Sequence, residues 1–415
     1  MLTFINKINF PLKMWLFSRG LICFAMLIIA PLLAAPSDGI QPKFGWDVFN
    51  SWDSGWYEAI VKNGYEYAND AQQHNVAFFP LFPLLIRIVM TTGLPFNIAG
   101  TLVNNLAFLG ALIIFYHWIK KHYELKIAQW SIAVLVWCPF SLFCTVIYTE
   151  GLFLFLTASA LICFENKQYI WASIFGALST ATRVTGLALI PAFLITSYKE
   201  KGAKLAYFSG IFIVVGLLSY LIYCWLKFDE PLAFIKVQKA WHPEQSFWGE
   251  SWLKMFSQVI FGFVNTKEGS LKDIGYILAV IIVSILAYLL WYFRSNLGNK
   301  NSDYGYFFLI FLAWLIGGNP FINTVIVFGG IYLLWRNKNQ INLVSLLYAI
   351  FSFIIIFSSG RTTSAERYTY AIIPLSLALG IVLHRYPRWG YAAMIFFGLL
   401  LAIYSIRFAQ HLWVA

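Results

Sequence analysis

An all-α polytopic membrane protein is the fold class this sequence predicts, and three observations predict it. Of its 415 residues 60% are apolar and 11% charged, against about 25% charged in an ordinary soluble domain. The mean hydropathy is +0.71. The apolar residues come in long runs and not in the alternating segments of roughly ten residues that build an outer-membrane barrel. A cytosolic enzyme is excluded by the shortage of charge. A nucleic-acid partner is excluded as well: the net charge of +11 comes from 29 Lys and Arg scattered singly, with no basic stripe to follow a phosphate backbone.

Taken in order, and allowing about 20 residues per crossing, the first apolar run is 15–35, preceded by Lys7 and Lys13. It has the outline of a signal peptide, but so many later runs make an uncleaved first helix the better reading. A long polar loop, 36–77, follows. The stretch 78–94 is amphipathic, holds Arg87 and two prolines, and suits a re-entrant or interfacial helix. Further runs lie at 97–117, 127–145, 148–164, 169–183, 185–197 and 205–226. A second long polar loop occupies 227–273. The remaining runs are 274–293, 304–318, 321–335, 341–358, 369–384 and 390–407. Those at 169–197 and 304–335 read as pairs broken by Gly or Pro, which leads to an expectation of 10–13 transmembrane helices. The chain divides into a module over 1–260 and C-terminal helices over 274–415. The five cysteines, Cys23, Cys138, Cys144, Cys163 and Cys224, sit inside apolar runs with no CxxC, as small buried hydrophobes do.

Charge orients these segments. The N-terminus and the loops at 118–126, 165–168, 198–204, 294–303, 336–339 and 384–389 hold 16 Lys and Arg against four acids, Glu124, Glu165, Glu200 and Asp303. By the positive-inside rule they are cytoplasmic. The segments 36–77, 227–273 and 359–368 hold 10 Lys and Arg against 13 acids, and are expected on the periplasmic or lumenal side. The basic loops are too short for a nucleotide-binding domain, and no P-loop or GxGxxG occurs. Any chemistry belongs with the outer loops.

Five polar clusters fall on the outer face, three in those loops and two at the turns holding Glu150 and Arg183. The first holds two Trp-Asp pairs, Trp46-Asp47 and Trp52-Asp53, followed by Tyr57. Rings at the membrane interface would partly desolvate a carboxylate and make it a better base; the alternative for Asp47 and Asp53 is capping of short helices. Tyr148-Thr149-Glu150 falls at an outer turn, with Arg183 at the same depth. The two form either a structural pair or a contact to phosphate or sugar. On a helix, Gln238, Trp241 and His242 share one face, combining an amide, a stacking ring and an imidazole as sugar sites often do. Arg361, Glu366, Arg367 and Tyr368 stand at an outer helix mouth, where a guanidinium suits a phosphate or snorkels to the interface. Together they describe a composite site at the lipid–water boundary. Carboxylates are available there, but no tight ligand spacing demands a metal, so no cofactor is required and a divalent ion is not excluded.

Trp52-Asp53 with Tyr57 and Gly64-Tyr65, Phe78-Phe79-Pro80-Leu81-Phe82-Pro83, Tyr148-Thr149-Glu150-Gly151-Leu152-Phe153 and Thr182-Arg183-Val184-Thr185-Gly186, in that order, resemble the PIG-V-type mannosyltransferase family. That family comprises the second mannosyltransferase of glycosylphosphatidylinositol-anchor assembly and its prokaryotic relatives, within the C-type glycosyltransferase superfamily. The similarity extends to Gln238 and Trp241 and more weakly to Glu366-Arg367-Tyr368. It implies a multi-span helical fold and a polyprenyl-phosphate-linked sugar donor. It also implies that Asp53 is the catalytic base of an inverting transfer to a lipid or glycan acceptor. A preorganised cation, Arg367, Arg183 or His242, is then expected on the leaving phosphate. Rival readings are a lipid-linked-sugar transporter, which would want ionisable residues near mid-bilayer and repeat symmetry, and a non-catalytic subunit of a glycosylation complex.

Overall fold

The computed structural model describes residues 2–241 and 247–414; His242 lies outside them. Among the described residues the regular structure is all helical. Six helices are long and apolar enough to cross a membrane: Asn9–Leu32, Phe96–His122, Lys204–Phe228, Ile274–Tyr292, Arg294–Asn337 and Pro387–Ala409. Other expected crossings are shorter apolar helices, among them Leu125–Trp137, Val184–Lys199, Leu343–Ser358 and Pro374–Arg385. The anticipated breaks are present. Within Arg294–Asn337 the backbone leaves helical geometry at Gly318, φ 56° and ψ −141°, two residues before Pro320, whose ring cannot continue a regular ladder. Between 169 and 199 the helix stops at Thr180, turns, and resumes through a 3₁₀ segment, Val184–Ala188.

The elements that carry the site are α1 (Leu2–Phe24), α2 (Asp53–Asn63), α3 (Leu81–Met90), α4 (Phe96–His122), α5 (Leu125–Trp137), α6 (Glu150–Glu165), α7 (Tyr169–Thr180), α8 (Ala365–Tyr370) and α9 (Pro387–Ala409). Short α2 lies in the first long loop and cannot stand alone. It is seated by Tyr57, Ile60 and Val61, an i, i+3, i+4 stripe packed with Phe82 and Ile86 of α3 and with Phe96, Tyr220 and Phe234. Arg87 of α3 donates to the Val61 carbonyl at 2.6 Å, satisfying one of the open carbonyls at the end of α2. The expected interfacial helix is therefore the brace of the loop.

Between α5 and α6 the chain winds through a buried 3₁₀ turn, Pro139–Cys144, and then runs irregularly to Thr149, a course that in a membrane core demands partners for every backbone group. Asparagines of α4 supply them. Asn104 donates to the carbonyls of Phe143 and Val146, both at 2.7 Å, and accepts from the Gly151 N–H at 2.9 Å. Asn105 donates to the Thr145 carbonyl at 3.0 Å. Gly151 allows this approach: a Cβ there would lie 2.4 Å from the Asn104 carbonyl oxygen. From below, Arg19 of α1 donates to the Ser141 carbonyl at 3.0 Å and rests on the Phe108 ring.

The loop sets separated by charge gather at opposite ends of the bundle. At one end His122 stands 3.9 Å from Glu165 and His384 3.2 Å from Glu124, while Arg385 reaches Gln340 and Arg388 reaches Asp303. At the other, the Ile147 N–H donates to the Phe49 carbonyl and the Leu81 N–H to that of Ala181, and Arg361 donates to the Gln238 carbonyl at 2.8 Å.

Candidate active site

Asp53 is the first residue of α2. The turn into it is closed by the Ser54 N–H on the Ser51 carbonyl at 3.3 Å, and its second residue, Trp52, has φ 58° and ψ −120°. That conformation is one glycine normally takes, and a larger residue holds it at a cost of about 1–3 kcal/mol. The Asp53 N–H donates to the Tyr148 hydroxyl at 3.2 Å. No side chain caps the helix through Trp52, and the Asp53 carboxylate points elsewhere: its Oδ2 accepts from Arg367 at 3.1 Å.

Arg367 sits on α8, also entered through a left-handed residue, Ser364, φ 59°. Its Nε stands 3.5 Å from Glu150 Oε1, the same oxygen that pairs with Arg183. The two guanidiniums share aromatic walls: Tyr368 lies 4.8 Å from Arg183 and 5.5 Å from Arg367, and Phe143 and Tyr148 each lie 5.1 Å from Arg367. Cations against ring faces in a desolvated setting gain substantially. Four charged side chains, from the first residue of α2, the first residue of α6, the turn after α7 and α8, thus form one cluster of two acids and two guanidiniums.

Exposure divides their roles. Glu150 is 1% exposed and Arg367 9%, whereas Asp53 is 30% exposed. Glu150 anchors both guanidiniums from behind, and its second oxygen has no partner. Asp53 alone of the two acids offers a carboxylate outward, next to a fixed cation.

The other sequence candidates divide likewise. Tyr57 is buried, T-shaped against Phe78 and Phe82, and burial together with the Asp53 carboxylate pushes its phenol upward. Asp47 accepts from Asn97 at 2.5 Å, and the structure does not join it to the cluster. Gln238 and Trp241 lie on a 3₁₀ segment, Val237–Trp241, and not on the α-helix expected; the tighter winding keeps residues three apart on one face. The Trp241 ring meets Trp56 at 5.7 Å, and Trp56 stacks on Phe78 at 6.0 Å. Trp52 projects outward onto Trp413. Sequence reasoning did not identify Trp56, although it lies one turn after Asp53, nor Asn104 and Asn105, for which a polar pair inside an apolar run was the available signal. Among the described residues no group of three or more His, Cys, Asp or Glu is clustered to hold a metal ion.

Glu366 is buried, one carboxylate oxygen lacks a partner, and burial pushes its carboxyl up to about 7. The native state therefore keeps a proton that the unfolded chain releases near 4.5, and stability falls as pH rises between these values and stays low above them. Glu366→Gln is expected to leave the melting temperature unchanged at pH 4 and to raise it at pH 8, where the gain in stability is on the order of 3 kcal/mol; thermal unfolding in detergent at both pH values checks this.

Residues 31–201 match the family model described as mannosyltransferase (PIG-V), over the stretch that holds the motifs from Trp52 to Gly186. The fold is similar to that of ArnT from Cupriavidus metallidurans bound to undecaprenyl phosphate, with a TM-score of 0.52 and 12% identity over 94% of this chain and 62% of that one. The oligosaccharyltransferase of Archaeoglobus fulgidus in its apo form aligns with a TM-score of 0.47 and 14% identity, over 97% of this chain and 56% of that one. This chain thus spans less than two-thirds of either solved chain. No curated protein matches it in sequence. The C-type glycosyltransferase-like fold expected from the sequence is the fold observed, and the chain is an integral membrane protein.

Proposed function

We propose that this chain, matched over residues 31–201 by the mannosyltransferase (PIG-V) model and folded like ArnT, is an integral-membrane glycosyltransferase. It moves mannose, or a related hexose, from a polyprenyl-phosphate carrier to a lipid or glycan acceptor at the periplasmic or lumenal face. The observation that carries this reading is the half-open Asp53 carboxylate held 3.1 Å from Arg367: a base and a phosphate-binding cation side by side at the loop-rich end of the bundle.

In the proposed reaction Asp53 takes the proton of the acceptor hydroxyl. The acceptor oxygen attacks the anomeric carbon opposite the carrier, the bond from that carbon to the phosphate oxygen breaks, and its electron pair leaves with the phosphate. The sugar inverts. The phosphate, a monoanion while esterified to the sugar, gains a charge as it departs, and fixed donors lower the barrier when aimed where charge develops. Arg367 fits that role, because Glu150 holds its Nε side and the rings fix its plane. Arg183, already paired with Glu150, keeps the anchor neutral. Trp56, one turn after the base on α2, with Phe78 and Trp241 packed against its ring, offers an aromatic wall to a hexose.

The test is transfer by purified protein in detergent, offered polyprenyl-phosphate-mannose with a panel of lipid and glycan acceptors. Product formation supports the reading; no transfer from any carrier sugar by folded protein overturns it and moves the weight to a transporter or an accessory subunit. The assignment of faces has its own check. In a cysteine-free background, Gln72→Cys, on the exposed first loop, is expected to react with an impermeant thiol reagent from outside the cell, and Lys338→Cys only after permeabilisation. The reverse pattern would put Asp53 on the cytoplasmic side.

A further inference from the structure

We infer that Trp413 is a positioning residue for Asp53, acting through Trp52; this rests on the transferase reading for its catalytic consequence but not for its structural one. The starting point is the backbone of Trp52, at φ 58° and ψ −120°, immediately before the carboxylate. Such a conformation persists only where surrounding structure over-determines it. The Trp52 side chain is 44% exposed, so burial in the core does not fix it. Its ring meets that of Trp413 edge to face, with centroids 5.1 Å apart and planes at 88°, the geometry aromatic pairs prefer.

Trp413 is itself held. The Arg407 side chain donates to its carbonyl at 3.1 Å, and the Leu412 N–H to the Arg407 carbonyl at 2.9 Å. One residue group back, Gln410 accepts from the Ile40 N–H at 2.9 Å and donates to the Ala34 carbonyl at 3.3 Å. Gly39 lies against this segment so closely that a Cβ would fall 2.5 Å from the Gln410 carbonyl oxygen and 3.1 Å from Leu412. The segment after α9 is therefore built into the start of the first outer loop, and the Trp413 indole meets the strained residue next to the base. If Trp52 relaxes to a negative φ, the plane of the following peptide turns and the Asp53 carboxylate swings off Arg367. Trp413 touches none of the reacting groups; it fixes where the base stands.

Two readouts on the purified full chain test this. The first is amide hydrogen exchange of residues 52–56, whose Ser54 and Gly55 N–H groups close the turn on Ser51 and Trp52. Trp413→Ala is expected to speed their exchange about tenfold or more while α6 is unchanged, and Trp413→Phe, which keeps an edge-on ring, to restore most of the protection. Gly39→Ala, which displaces the segment without altering either ring, is expected to act like Trp413→Ala, and carries the test if the latter fails to fold. The second readout is turnover: kcat is expected to fall by about tenfold or more at an unchanged donor KM, since a displacement of about 1 Å can cost two orders of magnitude. Unchanged exchange in the variants overturns the inference whatever the transfer activity. Faster exchange with unchanged kcat overturns the positioning role. Faster exchange in a protein that transfers no sugar at all sinks the transferase reading and leaves the hold on the turn standing.

Discussion

Asp53→Asn is expected to lower the rate of sugar transfer by about a thousandfold while the protein inserts and folds normally. General-base assistance contributes typically 10²–10⁴-fold, and Asn keeps the size and the turn geometry of Asp but takes no proton. Folding should survive because Asp53 is 30% exposed and its backbone bond to Tyr148 does not involve the carboxylate. Arg367 loses one of its two acids but keeps Glu150 3.5 Å away, so no cation is stranded. Asp53→Glu is the informative companion: it retains the charge but displaces it by one carbon, and should keep part of the activity. The measurement is kcat for both variants beside their melting temperatures. Wild-type turnover in the Asn variant would remove Asp53 as the base.

Arg183→Met is expected to have the larger effect on the protein itself, a loss of about 3–5 kcal/mol, the usual result of removing one partner from a buried pair. Glu150 is 1% exposed and its second oxygen has no partner. Without Arg183 it leans on Arg367 alone, and Arg367 is drawn from Asp53. The variant should be recovered in low yield, with a depressed melting temperature. Adding Glu150→Gln removes the uncompensated charge, so the double variant should regain most of the stability; the interaction energy from that cycle measures the anchor directly. A single variant as stable as the wild type would mean that Glu150 is held by something other than these two guanidiniums.

Much of this arrangement was legible in the sequence, for reasons that can be named. Hydropathy and loop charge are properties of short segments, and they located the apolar runs, the break near Gly318 and Pro320, and the grouping of Asp53, Glu150, Arg183 and Arg367 at one depth. Whether Glu150 and Arg183 pair or wait for a ligand was left open, because parity gives depth and not distance; the structure pairs them. What stayed hidden depends on contacts between segments far apart in the chain. Asn104 and Asn105 look like misplaced polar residues until the irregular backbone they satisfy is in view. Trp413 has no signature beyond that of an interfacial aromatic. The winding of Val237–Trp241 was missed because i, i+3 spacing is common to the α and 3₁₀ forms.

The distance along the chain between the two sides of the site has a consequence for biogenesis. Arg367 follows Asp53 by 314 residues, so at about 5–20 residues per second a ribosome takes roughly 15–60 s to make the second after the first. Over the later part of that interval, once Arg183 has been made, Glu150 and Arg183 are able to neutralise each other, whereas Arg367 is not yet there to meet the Asp53 carboxylate. On the proposed mechanism the nascent protein is therefore expected to be silent until α8 is in place. By the same mechanism, a chain truncated before α8 would insert its early helices yet hold the Asp53 carboxylate without Arg367 beside it, and would be expected not to consume a lipid-linked sugar.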